Sequence, residues 1–113
     1  MIDKYQFGSI TIEGKKYDFD VEVRSNKEVL RWQREEGHLF NLEDIERAIK
    51  EKPEIIILGT GAYGVAQVSQ EADEFIKNKG IQLIIEKTDQ AVKLFNNLIK
   101  EKKRVIGLFH LTC

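Results

Sequence analysis

Three short apolar runs constrain this chain more than any other feature. They lie in Glu54 to Leu58, Ile81 to Ile85 and Val105 to Leu111. Each suits a buried strand, and none approaches the roughly 20 residues that a membrane helix needs. Between them the apolar period changes. Val65, Val68, Ala72, Phe75 and Ile76 fall on one helical stripe, with Ser69 placed to cap its regular part and Gly80 to stop it. Further on, Thr88 or Asp89 caps a helix carrying Ala91, Leu94, Phe95 and Leu98, and Lys100, Lys102, Lys103 and Arg104 crowd its end, where positive charge is favoured. Strands alternating with helices predict a layered α/β sheet.

Upstream, Asn41 reads as the N-cap of a helix with Leu42, Ile45, Ala48 and Ile49 on one face, stopped by Pro53. The chain opens with a predicted β-hairpin. Ile10 and Ile12 alternate with Thr11 and Glu13, a turn follows at Glu13-Gly14-Lys15-Lys16, and Tyr17, Phe19, Val21 and Val23 alternate with polar residues. Asp18, Asp20 and Glu22 then share the opposite face, which is expected to be exposed. Ser25 to Phe40 shows no clean period. The expected order is β-β-irregular-α-β-α-β-α-β, without repeats or linkers.

At 113 residues the chain makes one domain, spanning 1–113. Its formal charge of −1 argues against nucleic-acid or anionic-membrane binding, which needs a basic excess. The single cysteine, Cys113, cannot form an internal disulfide, and Met1 to Lys4 is charged with no apolar stretch after it. A cytoplasmic protein is expected, as a monomer or a homodimer.

The sharpest local motif is Gly59-Thr60-Gly61-Ala62-Tyr63-Gly64, between a strand and a helix, with Glu86 at the end of the next strand. Glycines there let backbone approach a phosphate, and a helix N-terminus attracts its charge. A small anion is one expected ligand, and a dinucleotide is a remote alternative. About fifty residues precede the motif, and the chain is too short for two mononucleotide-binding halves. The alternative is a tight turn that needs glycine for backbone reasons, with Tyr63 exposed at its tip. His38, His110 and Cys113 lack metal spacing, so no metal and no cofactor are expected. Trp32 with Arg31 and Arg34 suits either a cation–π cluster or the cover of a core edge.

Several of these pieces resemble one family. They are Phe7-Gly8-x-Ile10-x-Ile12-x-Gly14-Lys15-x-Tyr17, Arg31-Trp32-x-Arg34 with His38, Lys52-Pro53-Glu54 leading into Gly59-Thr60-Gly61, Thr88 with Ala91 and Asn96, and Phe109-His110-Leu111-Thr112-Cys113. The pattern is similar to the small Mth-type domain family of unknown function, which includes the animal adipogenesis-associated protein and a mitochondrial complex I assembly factor. The resemblance implies a three-layer α/β fold, with a mixed central sheet flanked by helices and an N-terminal β-hairpin over part of it. It also implies a last strand antiparallel to its neighbours, and no established enzyme activity.

Two functions follow as expectations. One is a non-enzymatic binding or assembly module that meets a protein partner through Arg24 to Phe40. The other is a small-molecule pocket, catalytic or not, in which Gly59, Thr60, Gly61 and Thr88 meet Trp32, His38 and His110 at the C-terminal edge of the sheet.

Overall fold

A computed structural model describes residues 1–34 and 36–113. The N-terminal hairpin is larger than expected. β1 (Ile2–Gln6), β2 (Ser9–Ile12) and β3 (Lys15–Tyr17) form an antiparallel sheet in that order. The alternation at Tyr17 to Val23 does not belong to one strand: it breaks at 18–20, and β4 (Val21–Arg24) joins the main sheet.

The stretch without a clean period contributes β5 (Val29–Arg31) and β6 (Leu39–Phe40). Then follow α1 (Leu42–Lys50), β7 (Ile55–Thr60), β8 (Gln67–Val68), α2 (Gln70–Asn78), β9 (Gln82–Glu86), α3 (Thr88–Lys100) and β10 (Val105–His110). The main sheet has the order β5-β4-β10-β7-β9, and β6 pairs with β8 in a small parallel ladder.

β10 is parallel to β7 and antiparallel to β4, which corrects the expectation of a last strand antiparallel to its neighbours. The helices α2 and α3 are crossovers. Each returns the chain to the edge where β7 began, so β9 and β10 must run with β7. A second correction concerns Ile81 to Ile85. β9 is the outer strand, and Ile85 is exposed rather than buried.

Strand periodicity divides the core between two faces. Ile55, Ile57, Val105, Phe109, Val21 and Val23 face α3 and the N-terminal sheet, where Ile10, Ile12, Ala91 and Phe95 close the layer. Ile56, Leu58, Ile106 and Leu108 face α1 and α2, with Ile45, Ala72 and Ile76. The result is three layers around a mixed sheet.

Glu22 lies between Val21 and Val23 and so points at the α1 face. It is buried there, accepting from Arg24 Nε at 2.8 Å and Arg47 Nε at 2.9 Å. The expected exposed carboxylate face therefore holds only for Asp18.

The caps at Asn41 and Ser69 are as read. The Asn41 amide donates to Asp44 Oδ2 at 2.8 Å, and Ser69 Oγ accepts from the Ala72 amide at 3.1 Å. Ser69 caps the whole of α2, since Val65 and Val68 precede the helix and Val68 lies in β8. The end of α3 is solvated from Lys100 to Arg104.

Candidate functional site at the C-terminal edge of the sheet

β7, β9 and β10 end together, and β4 begins beside them because it runs the other way. One edge thus gathers Gly59 and Thr60 from β7, Gly61 just after it, His110 from β10, Thr88 at the start of α3, and Asp20 just before β4.

Thr88 joins two of these elements. Its Oγ1 accepts from the Gly61 amide at 2.9 Å and donates to the His110 carbonyl at 2.6 Å, within the buried core. It therefore does not cap α3, whose N-cap is Lys87. Gly59 is small because Thr88 leaves no room: a Cβ there would lie 2.9 Å from Thr88 Oγ1.

The glycine loop closes on the chain's own tail. The Ala62 amide donates to the Thr112 carbonyl at 2.7 Å, and the Val65 amide to the Cys113 carbonyl at 3.3 Å. Gly61 has φ +102°, and a Cβ on it would come within 2.6 Å of the Thr112 and Cys113 backbone. Glycine is required here by conformation and by close packing of two backbone segments. The amides of Gly61, Ala62 and Val65 are engaged internally. After Gly64 the chain enters β8 before α2 begins at Gln70, so no helix N-terminus directly follows the loop as a dinucleotide fingerprint demands.

A polar network lies on the other side of β10. Asp20 Oδ1 accepts from the Leu111 amide at 2.8 Å, while Oδ2 meets His110 Nδ1 at 2.8 Å and the Arg34 guanidinium. Burial on its own would raise the Asp20 pKa. Bonds from His110 and Leu111, with the charge of Arg34, outweigh it and hold this carboxyl below its usual 3.8. With Nδ1–H donating to Asp20, His110 Nε2 is left facing Thr112 Oγ1 at 3.4 Å.

Arg34 lies over the Trp32 ring at 5.0 Å and the Phe40 ring at 5.2 Å. Trp32 is buried and tied to α1 through Nε1–H to the Asp44 carbonyl at 2.9 Å. Of the two arginines considered beside Trp32, Arg34 makes the cation–π contact; Arg31 lies over Phe19 instead. His38 is exposed, with Nε2 3.6 Å from Cys113 Sγ and its ring 6.3 Å from that of His110.

Trp32, His38 and His110 thus share one cluster, and Gly61 and Thr88 attach to the opposite side of the His110 backbone. Asp20, expected on an exposed strand face, completes the cluster with Phe40 and Thr112, which were not among the candidates read from sequence. Asp20 could have been found only through its pairing with a residue 90 positions away. Among the described residues no three His, Cys, Asp or Glu side chains are grouped to hold a metal.

Tyr5 closes the same edge from the N-terminal sheet, donating to the Leu111 carbonyl at 2.9 Å. Partial burial, with Asp89 and Asp20 nearby, pushes its phenol up to about 12.

Residues 2–110 match the model of a protein family of unknown function, DUF498/DUF598. The chain belongs to that family. A conserved hypothetical protein from Pyrococcus horikoshii OT3 is 27% identical over 100% of this chain and 99% of its own, with a TM-score of 0.91. The protein MT938 is 28% identical over 100% of this chain and 98% of its own, with a TM-score of 0.85. A Mth938-like domain of Bordetella pertussis shares the fold at 15% identity and a TM-score of 0.71, over 98% of this chain and 85% of its own. The Mth-type resemblance read from sequence therefore holds. No described helix is long and apolar enough to cross a membrane.

Proposed function

We propose that this domain is a non-enzymatic binding or assembly module, and that its partner meets the C-terminal edge of the sheet. One observation carries this reading. Phe7 and Tyr63 are 57% and 69% exposed and pack together with ring centroids 6.1 Å apart. Both sit on tethered backbone. The Gly8 amide donates to the Leu111 carbonyl at 2.9 Å, and Ala62 holds the Tyr63 loop to Thr112. Aromatic side chains on a rigid support are favoured interface anchors, because little order is lost on binding. Within 24–40 the largest side chains, Trp32 and Phe40, are buried, so Phe7 and Tyr63 offer the better surface. The resembled family's assembly-factor member supports the same reading.

The test is affinity capture from a lysate of the source organism. The wild type is expected to recover a reproducible partner, and a Phe7→Ser/Tyr63→Ser double variant with an unchanged melting temperature is expected to lose it. Recovery of no reproducible partner, or full retention by the double variant, counts against the proposal.

A second reading, a small-molecule or anion site at the Asp20–His110 cluster, across β10 from the glycine loop, draws on one observation. Arg34 Nε–H is buried within the Asp20–His110 cluster and has no acceptor among the described residues. An oxygen of a small ligand would satisfy it. A thermal-shift panel of nucleotides, dinucleotides, flavins and phosphorylated metabolites tests this. A true ligand at about a hundred times its Kd adds about 2.7 kcal/mol, and a flat response across the panel removes the reading.

A further inference from the structure

At the opposite end of the sheet, where β7, β9 and β10 begin, α1 and α2 leave a groove of about 880 Å³ between them. That volume lies in the range of small-molecule sites, about 300–1,000 Å³. Its apolar part is made by Leu42 and Ile49 of α1, Phe75 of α2, and Ile81. Phe75 is 38% exposed, a large aromatic that the fold leaves uncovered.

The rim is basic. The groove is lined by Lys50, Lys52, Lys79 and Arg104 against two carboxylates, Glu46 and Glu54. Arg104 is already spent, with Nε 3.8 Å from Glu54 and Nη1 donating to the Lys52 carbonyl at 2.9 Å. Among the described residues Lys50, Lys52 and Lys79 form no ion pair within 4.0 Å. Lys79 Nζ stands 5.1 Å from the centre of the Phe75 ring, which puts an ammonium group directly beside apolar surface.

From this juxtaposition of an uncovered apolar floor and unpaired lysines, we propose that the groove binds a free amphipathic monoanion, an unbranched alkyl chain ending in a carboxylate. The chain lies on Ile49, Phe75 and Ile81, and the head group meets Lys50 and Lys79. Glu46 on the same rim disfavours a polyanion such as nucleic acid, since a second negative group would meet it. The last turns of α1 and α2 carry Lys50 and Lys79 to the groove, so the backbone beside these lysines presents carbonyls rather than amides. The head group is therefore held by lysine side chains alone, and its share of the binding weakens with salt. This site is separate from Phe7 and Tyr63, so its success or failure leaves the proposed function untouched.

Calorimetric titration of the full chain with monomeric decanoate and dodecanoate at low salt tests the assignment. One saturable site is expected. Dodecanoate should bind about fifteenfold more tightly than decanoate, at about fourfold per buried methylene. Lys50→Glu/Lys79→Glu should weaken dodecanoate about tenfold or more, and Phe75→Ala should weaken it without altering the salt dependence. Should the double variant fail to fold, Lys79→Glu alone, at an exposed position, carries the same test. Dodecyltrimethylammonium, with the same chain and the opposite charge, should bind far more weakly. The proposal is overturned if no saturable binding appears up to about 1 mM. It is equally overturned if charge reversal leaves dodecanoate affinity unchanged, if the cationic amphiphile binds as well, or if only phosphatidylglycerol vesicles are bound.

Discussion

Replacing Gly107 by alanine is expected to cost about 3 kcal/mol, and to lower the melting temperature by roughly ten degrees. Gly107 lies midway along β10, paired with Val23 on one side and Ile57 on the other. The space above its Cα is taken. A Cβ would lie 2.4 Å from Cε2 and Cζ of Phe109 and 3.0 Å from Cδ2 of Phe95. These rings are fully buried and packed edge to face at 5.7 Å. Neither can swing clear without opening the layer between the sheet and α3, so the added methyl must shift backbone or force an off-rotamer ring. Chemical denaturation of Gly107→Ala measures the loss. Gly107→Ala/Phe109→Leu should recover part of it, because the second change withdraws the obstructing ring atoms. An unchanged stability for the single variant would mean that the two rings repack freely.

Asp20→Ala is the second large expected effect, also about 3 kcal/mol. The carboxylate satisfies the Leu111 amide, His110 Nδ1 and the Arg34 guanidinium together. Arg34 is only 9% exposed at its side chain, so the variant leaves a buried cation without its counter-charge. Asp20→Asn keeps an acceptor for Leu111 and should lose less. The charge also sets a pH dependence. The Asp20 pKa is below 3.8 in the folded protein, so its ionised form is preferred there over the unfolded chain. That contribution is fully present above about pH 5 and is lost as pH falls through the folded value. The stability gap between wild type and Asp20→Asn should therefore be level near neutrality and narrow in acid, as urea titrations at several pH values would show. A gap that does not change with pH would contradict the ion-pair account.

Much of the architecture was legible in local pattern. The apolar runs at 55–58 and 105–111 became the central strands, and the helical stripes gave α1 and α3 with little adjustment. Where the reading failed, sequence distance or strand geometry was responsible. Val65 and Val68 fit a helical stripe by spacing, but Gln67–Val68 pairs with Leu39–Phe40, a partner that no local window contains. Ile81 to Ile85 is as apolar as a central strand, although it forms an edge. Glu22 and Asp20 looked like a wet strand face. One is buried under α1 and the other is bound by His110 and Arg34, since a period of two says which residues share a face and nothing about what covers it. At the site, Gly59 and Gly61 were found by motif, and Thr88 through the family resemblance and its place at the sheet edge. The tail that occupies the glycine loop could be seen only in three dimensions, because its carbonyls at Thr112 and Cys113 carry no side-chain signature.

The order β5-β4-β10-β7-β9 also bears on how the molecule is made. The antiparallel pair from residues 21–31 and the parallel pair from residues 55–86 touch within the main sheet only through β10, at residues 105–110. During synthesis, β4 and β7 must therefore wait with open edges until that strand leaves the ribosome. Consolidation of the sheet then depends on β10, the strand that joins its two halves. Such non-local closure is slow, and unpaired edges in the waiting chain are open to pairing with other chains.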